Sequence, residues 1–197
     1  MESIGIIVFY ILYMLPMYAA LIAFAVVAYI LTGKSLSAIA RRRGIEKPWM
    51  AWVPVGCDWL LGCISDQYRY VTYGEETNRR KKLLWFNIAL LIIVAVMLTI
   101  STLIMIMGIT GASDDAILAA AMMIFIPYIA IFPLAVLYSI NYYKSFYDLV
   151  RSCDPDKSLI YLLVSIFASF PLPFFLYSCR DKDLGMPPRQ EQLPETE

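Results

Sequence analysis

Histidine is missing from all 197 residues, which removes His-based zinc sites, Ser-His-Asp triads and haem–histidine ligation. Charge is scarce too: Asp, Glu, Lys and Arg make up 16% of the chain, against roughly 25% in an ordinary soluble domain. The 16 basic and 16 acidic residues cancel, so no net positive charge marks a nucleic-acid binder. Cysteine is confined to Cys57, Cys63, Cys153 and Cys179, with neither a CxxC pair nor a zinc spacing. No glycine-rich phosphate loop occurs, so no nucleotide cofactor is indicated. The period-two alternation of a membrane β-barrel is absent as well.

What the chain has instead is apolar side chains, 60% of the total. A soluble domain of this length could not hide so many from water, and the excess points to lipid as the solvent. A bilayer crossing needs about 20 apolar residues in helical form, because every backbone polar group must be satisfied within the segment. Uncharged runs at 4–31 and 83–107 meet that requirement, and a third at 116–140 carries Pro127 and Pro133. The first run follows Met1-Glu2-Ser3, with no basic residue, and reads as a retained anchor rather than a cleaved signal. Gly33 is placed to cap it. The expected fold is an all-α integral membrane protein with three transmembrane helices in one domain over 1–183. Residues 184–197, rich in Pro, Gln and Glu, form an expected disordered tail.

The basic residues orient these spans. Lys34, Arg41, Arg42, Arg43, Lys47, Arg69, Arg79, Arg80, Lys81 and Lys82 all lie between the first and second spans. Between the second and third there are only Asp114 and Asp115, and after the third come Lys144, Arg151 and Lys157. The N-terminus is therefore expected outside and the basic loops in the cytoplasm. The apolar stretch 48–66 is broken by Pro54 and Gly56, and crossing there would put Arg79–Lys82 on the wrong side. It is expected to be a re-entrant or interfacial helical hairpin, with Trp49, Trp52, Trp59 and Trp85 as interfacial anchors. The stretch 159–179, interrupted by Pro171 and Pro173, reads either as a second such hairpin or as a fourth span. The hairpin keeps Arg180 and Lys182, and so the C-terminus, in the cytoplasm.

Two short blocks align: Lys34–Arg41 after the first span and Lys144–Arg151 after the third. Lys, Ser and Arg are identical, and Leu36, Ile39 and Ala40 match Phe146, Leu149 and Val150 at helical spacing. Each block is expected to be an amphipathic helix lying on the cytoplasmic surface. Each leads into a proline-broken apolar stretch, so the two units read as a parallel internal repeat.

Few polar groups sit among the apolar runs. Asp58, inside the first hairpin, is the main candidate for a functional carboxylate at membrane depth, with Asp66 second. Two carboxylates without an activated nucleophile are thin grounds for an enzyme. Arg41, Arg42, Arg43, Arg79, Arg80, Lys81 and Lys82 are candidates for anionic lipid headgroups, each charge contributing about 1 kcal/mol near the surface.

The stretch Ile39–Ile45 through Trp49–Val55, then Leu61-Gly62 to Ser65-Asp66-Gln67-Tyr68, resembles a group of small uncharacterised bacterial multi-pass membrane proteins. Asn78–Lys81 and the ending Arg180–Pro188 fit the same resemblance. It implies a bacterial cell membrane and carries no activity or site residue. The leading functional expectation is a non-enzymatic accessory or scaffold subunit, presenting a basic face to lipid, to a membrane partner or to a second copy. The alternative is a small transporter or channel subunit using broken helices and Asp58.

Overall fold

The computed structural model describes residues 2–111, 113, 115, 118, 122–123 and 125–183, with side chains from residue 12 onward except that of 126. The expected tail 184–197 and much of 116–124, the start of the expected third span, lie outside the described residues. Among the described residues all regular structure is helical. Helix α1 covers Glu2–Arg42, a short 3₁₀ helix Pro48–Trp52, α2 Pro54–Tyr73 and α3 Arg79–Ile109. Then come α4 Phe125–Cys153, α5 Ser158–Phe167 and α6 Leu172–Lys182.

Two segments, Leu12–Arg42 and Arg79–Ile109, are long and apolar enough to cross a membrane. At 31 residues each, they reach about 46 Å, beyond the roughly 30 Å of a hydrocarbon core. Their large apolar side chains, among them Leu12, Ile22, Leu98 and Met105, are exposed, with no protein packed over them. α3 begins at Arg79, so the basic quartet forms the first turn of this helix rather than preceding it.

The buried core sits at one end of these long helices. It gathers Leu36, Ile39 and Ala40 of α1, Leu60, Leu61 and Ile64 of α2, Phe146, Leu149 and Val150 of α4, and Leu172, Leu176 and Cys179 of α6. This corrects the expectation of surface-lying amphipathic helices at 34–41 and 144–151. Both blocks are the last turns of longer helices, α1 and α4, and their matching apolar positions face protein. No proline separates span from block, so the helix continues and its apolar stripe meets α6 or α2 before it can meet lipid. Gly33 is likewise interior to α1, and its hydrogen lets the Trp52 ring approach to where a Cβ would stand 3.1 Å away. The helix ends nine residues later, at Arg42. Gly44, at φ +64°, turns the chain while Ile45 N–H bonds Ala40 O at 2.9 Å and Gly44 N–H bonds Arg41 O at 3.3 Å, a Schellman end.

From each long helix the chain folds back and then forward again. After α1, the 3₁₀ helix returns along it until the Tyr29 hydroxyl donates to the Trp52 carbonyl. Pro54, in the first turn of α2, then starts a helix that runs beside α4. After α4, α5 returns along it, with the Tyr143 hydroxyl donating to Ser165 O at 3.2 Å. The chain turns at 168–171, and α6 runs beside α1, from the Phe24–Phe174 ring contact to Arg43 and Asp183. The stretch 159–179 is therefore two helices of 10 and 11 residues, each reaching about 15 Å, and not one spanning helix. The first hairpin also runs past its expected end at 66, to Tyr73.

Gly62 sets how closely α3 docks. A Cβ at this position would lie 2.5 Å from Arg80 Cα and 2.7 Å from Arg80 N, inside any tolerable contact. Gly62→Ala must push α3 away, at a cost of about 1–3 kcal/mol. The variant should melt several degrees lower in detergent, while Gly108→Ala, where a Cβ meets nothing, should not; equal melting of the two would disprove this docking.

Candidate functional site

The polar groups that come together do so at the core end, where three helices meet on one carboxylate. Asp148 of α4 is buried, and three donors converge on its Oδ2: Arg79 Nη1 at 2.6 Å, Ser65 Oγ at 2.8 Å and Arg69 Nε at 3.0 Å. Arg79 Nη1 also donates to Ser65 Oγ at 3.1 Å, and Arg69 Nη1 reaches Glu75 at 2.8 Å. One oxygen thus ties α2, α3 and α4. A charge taken out of water this far must be paired and hydrogen-bonded, which explains why two guanidiniums attend it.

A second joint ties α1 to α6. Arg43 and Asp183 form an ion pair at 2.8 Å, their side chains 1% and 0% exposed. Arg43 also donates to Ser152 Oγ at 2.7 Å, at the end of α4. Arg42 caps the other side, donating to the carbonyls of Arg180 and Asp183 as α6 ends. Beside this joint, a hydrogen bond from Cys179 lowers the Cys153 thiol below its ordinary value; burial opposes the shift and the Arg43 guanidinium adds to it. All four cysteines are free thiols.

Asp66 and Asp58 each have definite partners. The two Asp66 oxygens accept the backbone N–H of Arg79 at 3.0 Å and of Arg80 at 3.2 Å, and the Thr77 hydroxyl at 2.6 Å. Four cations crowd the positive end of the α3 dipole, and Asn78 makes no side-chain cap. Asp66 supplies from α2 the anionic cap that α3 lacks in its own sequence. Asp58 is buried between α2, α3 and α4, accepting from Tyr138 Oη at 2.8 Å and from the Asn87 amide. Asn87, the one strongly polar side chain of the second apolar run, is therefore its partner.

The sequence candidates divide. Arg43 and Arg79 are buried in ion pairs and Arg42 holds a helix end, so these three leave the headgroup set. Arg41, Arg80, Lys81 and Lys82 are exposed, and none forms an ion pair among the described residues. Trp49, Trp52 and Trp85 are exposed, as interfacial anchors would be, whereas Trp59 is half-buried against the core. Sequence reasoning missed Asp148, Asp183, Ser65 and Arg69. Asp148 had a signal: it replaces Ala38 of the aligned block and stands among Phe146, Leu149 and Val150, where a carboxylate needs a partner. Asp183, in the alternating run Arg180–Asp183, had none.

Chemically, these groups bind helices to one another. Among the described residues no cluster of three or more His, Cys, Asp or Glu could hold a metal ion. The Arg43–Asp183 pair offers the sharpest energetic test. Arg43→Met leaves a buried carboxylate unpaired and should cost about 3–5 kcal/mol, whereas Arg43→Met with Asp183→Leu should regain most of it. Thermal melts of the two singles and the double measure the coupling, and additive losses would reject the pair as a joint.

No protein family, no curated protein and no solved structure matches this chain.

Proposed function

We propose that the protein is a multi-pass membrane protein of a bacterial cell envelope, acting as a non-enzymatic accessory or scaffold subunit with its basic end in the cytoplasm. The carrying observation is how the polar residues are spent. Asp148, Asp183, Asp66 and Asp58 all hold helices together, while Arg41, Lys81 and Lys82 stand exposed beside that rigid end without ion pairs among the described residues. A clamped set of helices with free cations at its rim suits a subunit that offers a fixed surface to anionic lipid or to an acidic partner. The third crossing within 116–140, the external N-terminus and an internal duplication belong to the same reading. It is supported by the charge distribution and by the similar back-and-forth path after α1 and α4.

Affinity purification in mild detergent should return a membrane partner or a second copy at fixed stoichiometry. Arg41→Gln with Lys81→Gln and Lys82→Gln should loosen it. A lone chain, or a complex indifferent to these changes, would overturn the scaffold reading.

The second reading, a small transporter or channel subunit, draws on Asp58, a buried carboxylate among three helices whose donors Tyr138 and Asn87 are both neutral. Purified protein in liposomes should then carry ion flux that Asp58→Asn abolishes. Flux absent from the wild type, or untouched by the substitution, removes this reading.

A further inference from the structure

Alongside the Asp148 joint runs a groove of about 700 Å³, bounded by one face of α4, by α5 and by the ends of α2 and α3. Its two ends differ in chemistry. Phe132, Val136 and Ile140 line it at successive turns of α4, faced by Leu162 and Ile166 of α5. One turn beyond Ile140 the lining becomes polar, with Lys144, Arg69 and Arg79 against the single carboxylate of Asp148. From Phe132 to Tyr147 the α4 face rises about 22 Å, the reach of an extended acyl chain plus a headgroup. The volume falls in the roughly 300–1,000 Å³ range of small-molecule sites.

We infer that this groove binds one anionic phospholipid, its acyl chain along Phe132–Ile140 and its phosphate at Lys144. Three observations on the lining select that occupant. The wall from Phe132 to Ile140 is apolar but for Ser139 and gives way to cations one turn later, so the ligand must be amphiphilic. Of the three cations in the lining, Arg69 and Arg79 are balanced by Asp148 and by Glu75 beside the groove, and Lys144 is left over, so the ligand's polar end must be negative. Lys144 is exposed and has no ion pair among the described residues, and so remains available, unlike Arg79, which Asp148 and Ser65 engage, and Arg69, which Asp148 and Glu75 engage. The inference rests on the membrane reading above, since the change from apolar to basic lining falls where the expected third span ends, at residue 140. It does not rest on the scaffold reading: a chain with no protein partner could still hold this lipid. A lipid seated here would touch α2, α3, α4 and α5 together, and so brace the Asp148 joint from its lipid side.

Native mass spectrometry of the full chain, released from detergent with added phosphatidylglycerol or phosphatidylcholine, tests this. The wild type should retain one phosphatidylglycerol under activation that strips phosphatidylcholine. Lys144→Gln should weaken that retention about fivefold, the effect of removing one interfacial charge. Ala135→Trp, which fills the apolar wall, should abolish retention of either lipid. Lys34→Gln, exposed on α1 and outside the groove, should leave it unchanged. Inorganic phosphate at millimolar concentration should not displace the lipid; displacement would show that the site reads phosphate alone and overturn the inference. Equal retention of the two lipids, or indifference to Lys144→Gln, would overturn it as well. Should Ala135→Trp fail to fold, the Lys144→Gln comparison and the lipid pair still decide the matter.

Discussion

The Asp148 carboxylate holds together elements that hydrophobic packing alone would leave free to slide. Long apolar helices gain little from burying one another in lipid, where the surroundings are as apolar as the side chains. What can fix their register is a directional interaction that fails if either helix shifts by a turn. Asp148 supplies it, because Ser65, Arg69 and Arg79 reach one oxygen from two other helices. Arg43 and Asp183 do the same for α1 and α6. Every long helix described is thus pinned at the same end.

That arrangement explains the uneven distribution of burial. The core is built from the last turns of α1 and α4 together with α2 and α6, all within the basic end, while the outer turns of α1 and α3 keep their apolar side chains exposed. The α3 N-terminus shows how local and tertiary requirements conflict there. Its first turn repels the positive end of its own dipole, and Asp66 on α2 corrects this, reaching across because Gly62 permits contact. Cations at a helix N-terminus oppose its dipole, and a carboxylate from α2 offsets them. The same end holds the cations left exposed, so a lipid or partner reading them would meet a rigid surface.

Much of this was legible in the residues. Helix was implied by uncharged runs without alternation, and the break near Pro171 by its prolines; the structure shows both. Less legible was where the helices end. The segments at 34–41 and 144–151 carry amphipathic patterns equally suited to a lipid surface and to a protein interior. The pattern states that one face avoids water and does not state what covers it. Gly33 looked like a stop because glycine often is one, but it serves a close ring contact, and Gly44 does the stopping. The cations split in the same way: Arg41 and Arg43 are two residues apart in one arginine run, yet one is exposed and the other buried.

The shortage of charge and the excess of apolar residues determined, by themselves, that helices long enough for a bilayer would form, because period and length are local properties of the chain. The uneven placement of Lys and Arg likewise set which end of the molecule is basic. Tertiary structure alone decided which of those charges are spent inside and which remain free. Whether an arginine meets a lipid or an aspartate depends on a partner more than a hundred residues away, as with Arg43 and Asp183, and no local pattern carries that distance.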